Sequence, residues 1–365
     1  MTTTDIVLVA NSPGELSALV KPVAEEFSKD KNKRIILVLT PCQYTSGQEA
    51  EFVKSLKGID QLITAAQYKK WVFLGQKPKN IEFASAGVVL FLGGDLAHAM
   101  LIARKLKYPA FAYIDERIAW KKFYRKFFVP DRSTFDKFSR SLPAGKLAIV
   151  GDLMVDSING LKKWAPESNV VTFMPGSRKW EIDYMTPLYK EIMALIKKEI
   201  PGAKFQLVSS PFVKALPIEG TKMVGFEDIY NSEVAVTIPG TNTAKIAARG
   251  VPMVVVFPLN HPELIPMEGI ADLIGKLPVI GRLFKKRVAE IVNQKTKYFA
   301  LPNQKADREI APEIRGLIEP LGVAMKVVEL LKHPEQRREM SVELVKAMGE
   351  PGAAKKIVEA INVGL

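Results

Sequence analysis

The sequence predicts an α/β protein built from two Rossmann-like, doubly wound domains, and three observations point there. Short apolar runs without strict polar alternation recur along the chain, as parallel strands covered on both faces require. Amphipathic helical stretches separate them, so the connections are right-handed crossovers. The alternation restarts after a polar break at WAPESN (164–169), and 365 residues suit two cores of ~100–200 residues better than one.

In chain order, DIVLVA (5–10), RIILVLT (34–40), GVVLFLGG (87–94) and YPAFAYI (108–114) are the strands of the first set. ELSALVKPVAEEFSK, SGQEAEFVKSL and DLAHAMLIARKL supply its helices. The second set has strands VVTFM (170–174), KFQLVSS (204–210), EVAVTI (233–238) and PMVVVF (252–257), with helices over YMTPLYKEIMALIKKE and NTAKIAARG. The expected domains are 1–165 and 166–340, with C-terminal helices over 341–365 packing back on the first. Ligands of such sheets bind at the carboxyl ends of the strands, and a cleft between two facing domains is the expected active site.

Composition narrows the function. One cysteine, Cys42, excludes an intrachain disulfide and a cysteine metal cage, and three histidines (His98, His261, His333) supply a zinc site poorly. No metal or other cofactor is expected. The first residues lack the basic start and apolar core of a signal peptide, and no window nears the ~20 apolar residues of a spanning helix. A cytoplasmic chain, soluble or peripheral at a membrane, is expected. The net charge of +13 implies an anionic partner or, more blandly, a lysine-rich surface.

Two turns carry the chemistry. TFMPGSRKWEID (172–183) places a Pro-Gly-Ser-Arg-Lys turn between a strand and a helix, where backbone N–H groups hold anions. Gly176 allows close approach, Ser177 can cap the helix or bind a phosphate oxygen, and Arg178 offers a planar fork, with Lys179 beside it. EVAVTIPGTNTAKIAARG repeats the arrangement with Gly240, Thr241, Asn242 and Thr243. Either turn alone fits a plain strand–helix connection; together they suit a nucleoside diphosphate. Neither a Walker loop nor a dinucleotide glycine motif occurs. A third segment, YFALPNQKADREIAPEIRG (298–316), crowds Asn303, Asp307, Arg308 and Glu309 into a polar loop expected to follow the last strand and open a helix.

In order, MPGSRKWEI, PGTNTAKIAARGVPMVVVF and LPNQKADREIAPE resemble the donor-half motifs of lipid-A-disaccharide synthases. SPGELSALV, VVLFLGGDLAHAMLIARKL, IDERIAWKKF and VGDLMVDSI resemble their N-terminal segments, so the likeness spans nearly the whole chain. The resemblance implies the GT-B architecture, two Rossmann-like domains facing a central cleft. It also implies an inverting transfer of a glucosamine-type sugar from a UDP-sugar donor to a lipid-linked sugar acceptor. Three departures stand out. GELSALV replaces the family's Ser-Gly-Asp continuation, VGDLM lacks its histidine, and Lys245 stands where a glutamate holds the ribose hydroxyls. A lysine accepts no hydrogen bond but can pair with a phosphate. The alternative is therefore a non-catalytic or differently specific glycolipid- or nucleotide-binding relative of the same fold.

Inverting transfer needs a base for the acceptor hydroxyl and cations or helix N-termini for the departing diphosphate. Asp95, after a strand and two glycines in FLGGDLAHA, is the expected base, its bland role being a helix N-cap. Glu15 is the second candidate. Arg178, Lys179 and the PGTNT amides are the candidates to stabilise the departing diphosphate, with Arg308 a further one; His98 reads as a packing histidine and His261 as a donor-side contact. The stretch 264–292 mixes Leu273, Ile274, Leu283 and Phe284 with Lys285, Lys286 and Arg287. It is interrupted twice by Pro and Gly, a poor single helix but a plausible contact with an anionic membrane. WKKFYRKFF (120–128) interleaves aromatics and cations, for a membrane, for single-stranded nucleic acid or as an ordinary core stripe with snorkelling lysines. No nucleic-acid-binding motif accompanies it, and no nucleic-acid partner is expected. The location expected is the inner face of the cytoplasmic membrane.

Overall fold

The computed structural model describes residues 3–41, 48–79, 81–210, 217–260 and 280–363. Two compact units emerge: residues 1–159 with 350–365, and residues 160–349.

The first unit holds a parallel seven-stranded sheet in the order β3-β2-β1-β4-β5-β6-β7. Its strands are β1 (Thr4–Ala10), β2 (Lys33–Leu39), β3 (Gln61–Ile63), β4 (Gly87–Phe91), β5 (Ala110–Tyr113), β6 (Tyr124–Val129) and β7 (Leu147–Ile149). Both faces are covered, which is why the strands read as unbroken apolar runs. Ile6 and Leu8 of β1 pack with Phe27, Ile357 and Ile361 on one face. Val7 and Val9 pack with Tyr68, Trp71 and Met100 on the other. Each such side chain contributes about 1.5–3 kcal/mol by leaving water. Most of WKKFYRKFF proves to be the core strand β6: Tyr124, Phe127 and Phe128 are buried while Arg125 points out. Only residues 120–123 keep the exposed aromatic character.

The second unit is a parallel six-stranded sheet, order β10-β9-β8-β11-β12-β13. Its strands are β8 (Val170–Met174), β9 (Lys204–Val208), β10 (Thr221–Val224), β11 (Val234–Thr237), β12 (Met253–Pro258) and β13 (Glu313–Gly316). In each sheet the strand order reverses beside the first strand of the unit, at β1/β4 and at β8/β11. These switch points are where doubly wound sheets take ligands.

Two boundaries differ from expectation. The junction lies at 159/160 rather than 165, because residues 162–165 are tied to the second unit. The buried Arg249 guanidinium donates to Lys162 O (3.0 Å from Nε, 2.8 Å from Nη2). Trp164 Nε1 donates to Ser232 O (2.7 Å). Of the C-terminal helices, Pro334–Met348 stays with the second unit, where Arg337 pairs with Glu233 at 2.6 Å. Only Ala353–Asn362 joins the first, held by Asp156, which accepts from Gly352 N and Ala354 N, both at 2.6 Å.

Ile280–Lys295 forms one continuous helix, so the expected break is absent there. Pro266 and Pro278 both precede it, and Gly281 falls in the first turn, where N–H groups lack intrahelical partners anyway. Lys286 and Arg287 are exposed on it; Leu283 and Phe284 belong to it by position, while Leu273 and Ile274 lie outside the described residues. Among the described residues no helix is long and apolar enough to cross a membrane.

Candidate functional site

In the second unit, Thr237 of β11 pairs in register with Met174 of β8. The segments beginning at Pro175 and Ile238 therefore leave the sheet side by side, one into the helix Lys179–Glu199 and the other into Thr241–Ala248. The expected diphosphate turns thus start from adjacent strands at the switch point.

The first turn already holds an anion of its own. Glu181 Oε2 accepts from Ser177 N (2.8 Å) and Arg178 N (3.1 Å), and Oε1 accepts from Arg178 Nη1 (2.9 Å). Gly176, at φ +111, is required here, because an added Cβ would lie 2.3 Å from Glu181 Oε2. The amides of Ser177 and Arg178 are therefore engaged, and the Arg178 side chain, a third exposed, is itself tied to Glu181. Lys179 is exposed and pairs with Asp183 at 2.6 Å.

The second turn is stitched to the LPN segment. Thr243 is fully buried; its Oγ1 donates to Gly240 O (2.8 Å) and accepts from Leu301 N (3.1 Å). Asn303, also fully buried, has all four hydrogen-bonding positions occupied within the protein. Its Nδ2 donates to Ala311 O (2.8 Å) and Glu313 Oε1 (2.9 Å), and its Oδ1 accepts from Ile310 N and Ala311 N. Glu313 also accepts from Phe299 N and Ala300 N. Asn303 and Thr243 therefore act here as struts that fix the turn. The surrounding loop closes a helix rather than opening one. Pro302 lies in the first turn of Leu301–Ala306, Asp307 ends it in the left-handed region, and the chain runs on into β13. Arg308 and Glu309 are exposed, Arg308 paired with Glu343. Lys245 is buried, its Nζ 5.8 Å from the Phe226 ring centroid, while Gly240, Thr241 and Asn242 remain at the surface end of the helix. His261 lies outside the described residues.

In the first unit, Glu15 occupies the β1/β4 switch point. Its carboxylate accepts from Asn11 N (2.8 Å), Ser12 N (3.0 Å) and, across the sheet, Gly94 N (3.0 Å). Burial raises its pKa above the usual carboxylate value, against the three N–H groups, which lower it. Gly93 makes the room: an added Cβ would stand 2.0 Å from the Glu15 carboxyl carbon. Glu15, Gly93, Gly94, Tyr113, Asp115 and Met154 help line a cavity of about 260 Å³.

Asp95 is exposed and caps the helix Leu96–Leu106, Oδ1 accepting from Ala97 N at 2.8 Å. One turn along, His98 Nδ1 lies 2.6 Å from Tyr68 Oη, the donor being set by the tautomer. Burial lowers the His98 pKa, opposed by Asp95; burial and Asp95 push the Tyr68 phenol up to about 12. The sequence placed Asp95 and His98 on one helix but gave no sign of Tyr68, which arrives from the separate helix Ala65–Leu74. Glu181 also went unread, though a glutamate three residues into a helix is a capping signal. Among the described residues no three His, Cys, Asp or Glu side chains cluster as metal ligands do.

Comparison with known proteins gives concordant results. The lipid-A-disaccharide synthetase family model matches residues 156–350, just over half of the chain. A lipid-A-disaccharide synthase from Syntrophus aciditrophicus is 23% identical over 290 residues, covering 70% of this chain and 69% of that protein. One from Granulibacter bethesdensis is 27% identical, covering 41% and 35%. Among solved structures, UDP-GlcNAc 2-epimerase from Neisseria meningitidis, bound to UDP-GlcNAc, superposes with a TM-score of 0.56 at 13% identity, covering 98% of this chain and 99% of that one. Acinetobacter baumannii MurG does so with a TM-score of 0.52 at 13% identity, covering 99% of both. These likenesses carry the fold, which is GT-B. On the family match, this chain belongs to the lipid-A-disaccharide synthetase family of glycosyltransferases.

Proposed function

We propose that the protein is an inverting glycosyltransferase that moves a glucosamine-type sugar from a UDP-sugar to a lipid-linked sugar acceptor at an anionic membrane surface. The side-by-side exit of the Pro175 and Ile238 turns from adjacent strands is the observation that carries the reading. It sets a guanidinium and a glycine-started helix N-terminus at the carboxyl ends of two adjacent strands, which suits a diphosphate.

In the reaction, the acceptor hydroxyl oxygen attacks the anomeric carbon opposite the diphosphate while a carboxylate takes its proton. The bond from that carbon to the β-phosphate oxygen breaks, and UDP leaves with the electron pair. Arg178 and the Gly240–Asn242 helix start stabilise the charge that develops, Lys179 and Arg308 adding positive potential. Asp95 serves as the base, since it is exposed and, among the described residues, its carboxylate is committed only to the helix-cap bond on Oδ1. Glu15, with three N–H groups on its carboxylate, shapes the turn and is the second candidate. Lys245, buried with its Nζ 5.8 Å from the Phe226 ring centroid, would pair with a phosphate rather than a ribose hydroxyl, since an ammonium accepts no hydrogen bond. Lys285, Lys286 and Arg287 contribute to attraction toward anionic lipid at the inner face of the cytoplasmic membrane.

Incubation with a UDP-N-acylglucosamine and a lipid-linked glucosamine phosphate in mixed micelles should release UDP and give a disaccharide of inverted anomeric configuration by NMR. Asp95→Asn should lower kcat by about 10²–10⁴ without unfolding. Nucleotide binding without UDP release from any donor would instead establish a binding protein.

A further inference from the structure

The turn Trp120–Phe123 is absorbed neither by the donor site nor by the core. Trp120 is 48% exposed and Phe123 45%, and Ala119, Trp120, Lys121, Lys122 and Phe123 line an open apolar hollow. The turn is closed by Phe123 N donating to Trp120 O at 2.9 Å. Trp120 takes φ +55, a conformation bulky side chains rarely adopt. The fold thus holds a large ring in a strained position and leaves it in water, an arrangement that calls for a functional reason.

Charge identifies the partner. Lys121, Lys122, Arg125 and Lys126 are the only charged residues between Ile118 and Pro130, and Lys122 and Arg125 are exposed. Arg104, on the neighbouring helix, stands 5.5 Å from the Phe123 ring centroid, and Lys105 and Lys107 follow it on the surface. Exposed Trp and Phe flanked by cations match the headgroup region of an anionic bilayer: rings enter the interface and cations meet phosphates. Single-stranded nucleic acid fits less well. Bases stack on open, roughly parallel ring faces, whereas Trp120 and Phe123 are inclined 55° at 6.4 Å and Arg104 covers one face of Phe123.

We infer that Trp120–Phe123 is an interfacial anchor for anionic membranes, distinct from the basic helix Ile280–Lys295. The inference rests on the membrane side of the function proposed above. It is read by partition alone, so its failure and failure of the donor site are separable.

The test uses the full chain with vesicles of phosphatidylcholine, alone or mixed with phosphatidylglycerol. Partition should need the anionic lipid and weaken with salt. Lys121→Glu with Lys122→Glu should lower it at least ~25-fold, at about fivefold per cation lost. Trp120→Ser with Phe123→Ser should lower it without changing the melting temperature or the nucleotide-induced stabilisation. Brominated acyl chains should quench part of the wild-type tryptophan emission and not that of Trp120→Phe. Unchanged partition in both double variants, or equal quenching of Trp120→Phe, overturns the inference. So does binding of labelled oligo-dT that is lost in the aromatic variant while vesicle binding persists.

Discussion

Glu181 accepts hydrogen bonds from both the backbone N–H (3.1 Å) and the Nη1 (2.9 Å) of Arg178, so one carboxylate fixes the start of a helix and aims its guanidinium. The turn that sequence presents as an open anion nest is thereby pre-filled at two amides and at one guanidinium nitrogen.

Removing Glu181 tests the cap. Glu181→Ala strips the acceptor from Ser177 N and Arg178 N and should cost about 1–2 kcal/mol. Urea denaturation monitored by circular dichroism measures it. Glu181→Gln keeps an acceptor and should cost less, and loss of equal size in both variants would mean that charge rather than hydrogen bonding holds the turn.

Asn303 should be the more sensitive position. It is fully buried with four internal hydrogen bonds, and Asn303→Ala leaves buried donors and acceptors without partners. The expected cost is about 3 kcal/mol, read by the urea midpoint. Thr243→Val, which keeps the shape but loses the bonds to Gly240 O and Leu301 N, should cost about 1–2 kcal/mol.

How much of this was legible depended on whether a signal was local. The strands at 170–174 and 234–237 and the helix from Thr241 carry their own apolar runs and glycines and were read to within a residue or two, whereas the helix read from Tyr184 starts five residues earlier, at Lys179. Asn303 was singled out for its motif, but its partners Ala311 and Glu313 come from a turn and a strand eight and ten residues on, which spacing does not reveal. The strand β6 was masked because Lys121, Lys122, Arg125 and Lys126 gave it the look of a surface segment. Its burial depends on the pairing of Tyr124 and Phe127 with Ala110 and Ala112 of β5. The return of only the last helix to the first unit follows from Asp156 capping Gly352 and Ala354, a contact nearly two hundred residues apart in sequence.

The His98–Tyr68 pair predicts a pH dependence. Burial holds the folded His98 pKa below its ordinary 6.5, so the unfolded chain binds a proton there that the folded chain does not. Stability is present above ~6.5 and falls as pH drops through the window from that value toward the folded pKa. His98→Gln should flatten the fall in melting temperature from neutral pH to just below ~6. Identical slopes for wild type and variant would show that His98 titrates alike in both states.

Thermal unfolding of the intact chain with UDP, UDP-N-acetylglucosamine, GDP and ADP tests the donor site most directly. A ligand that binds only the native state adds about 2.7 kcal/mol at a hundredfold excess over Kd. Selective stabilisation by the uridine nucleotides is predicted, with affinity weakened about 10–100-fold in Arg178→Ala, as loss of a charge-assisted bond implies. No stabilisation by any nucleotide, or equal stabilisation of wild type and Arg178→Ala, would contradict it.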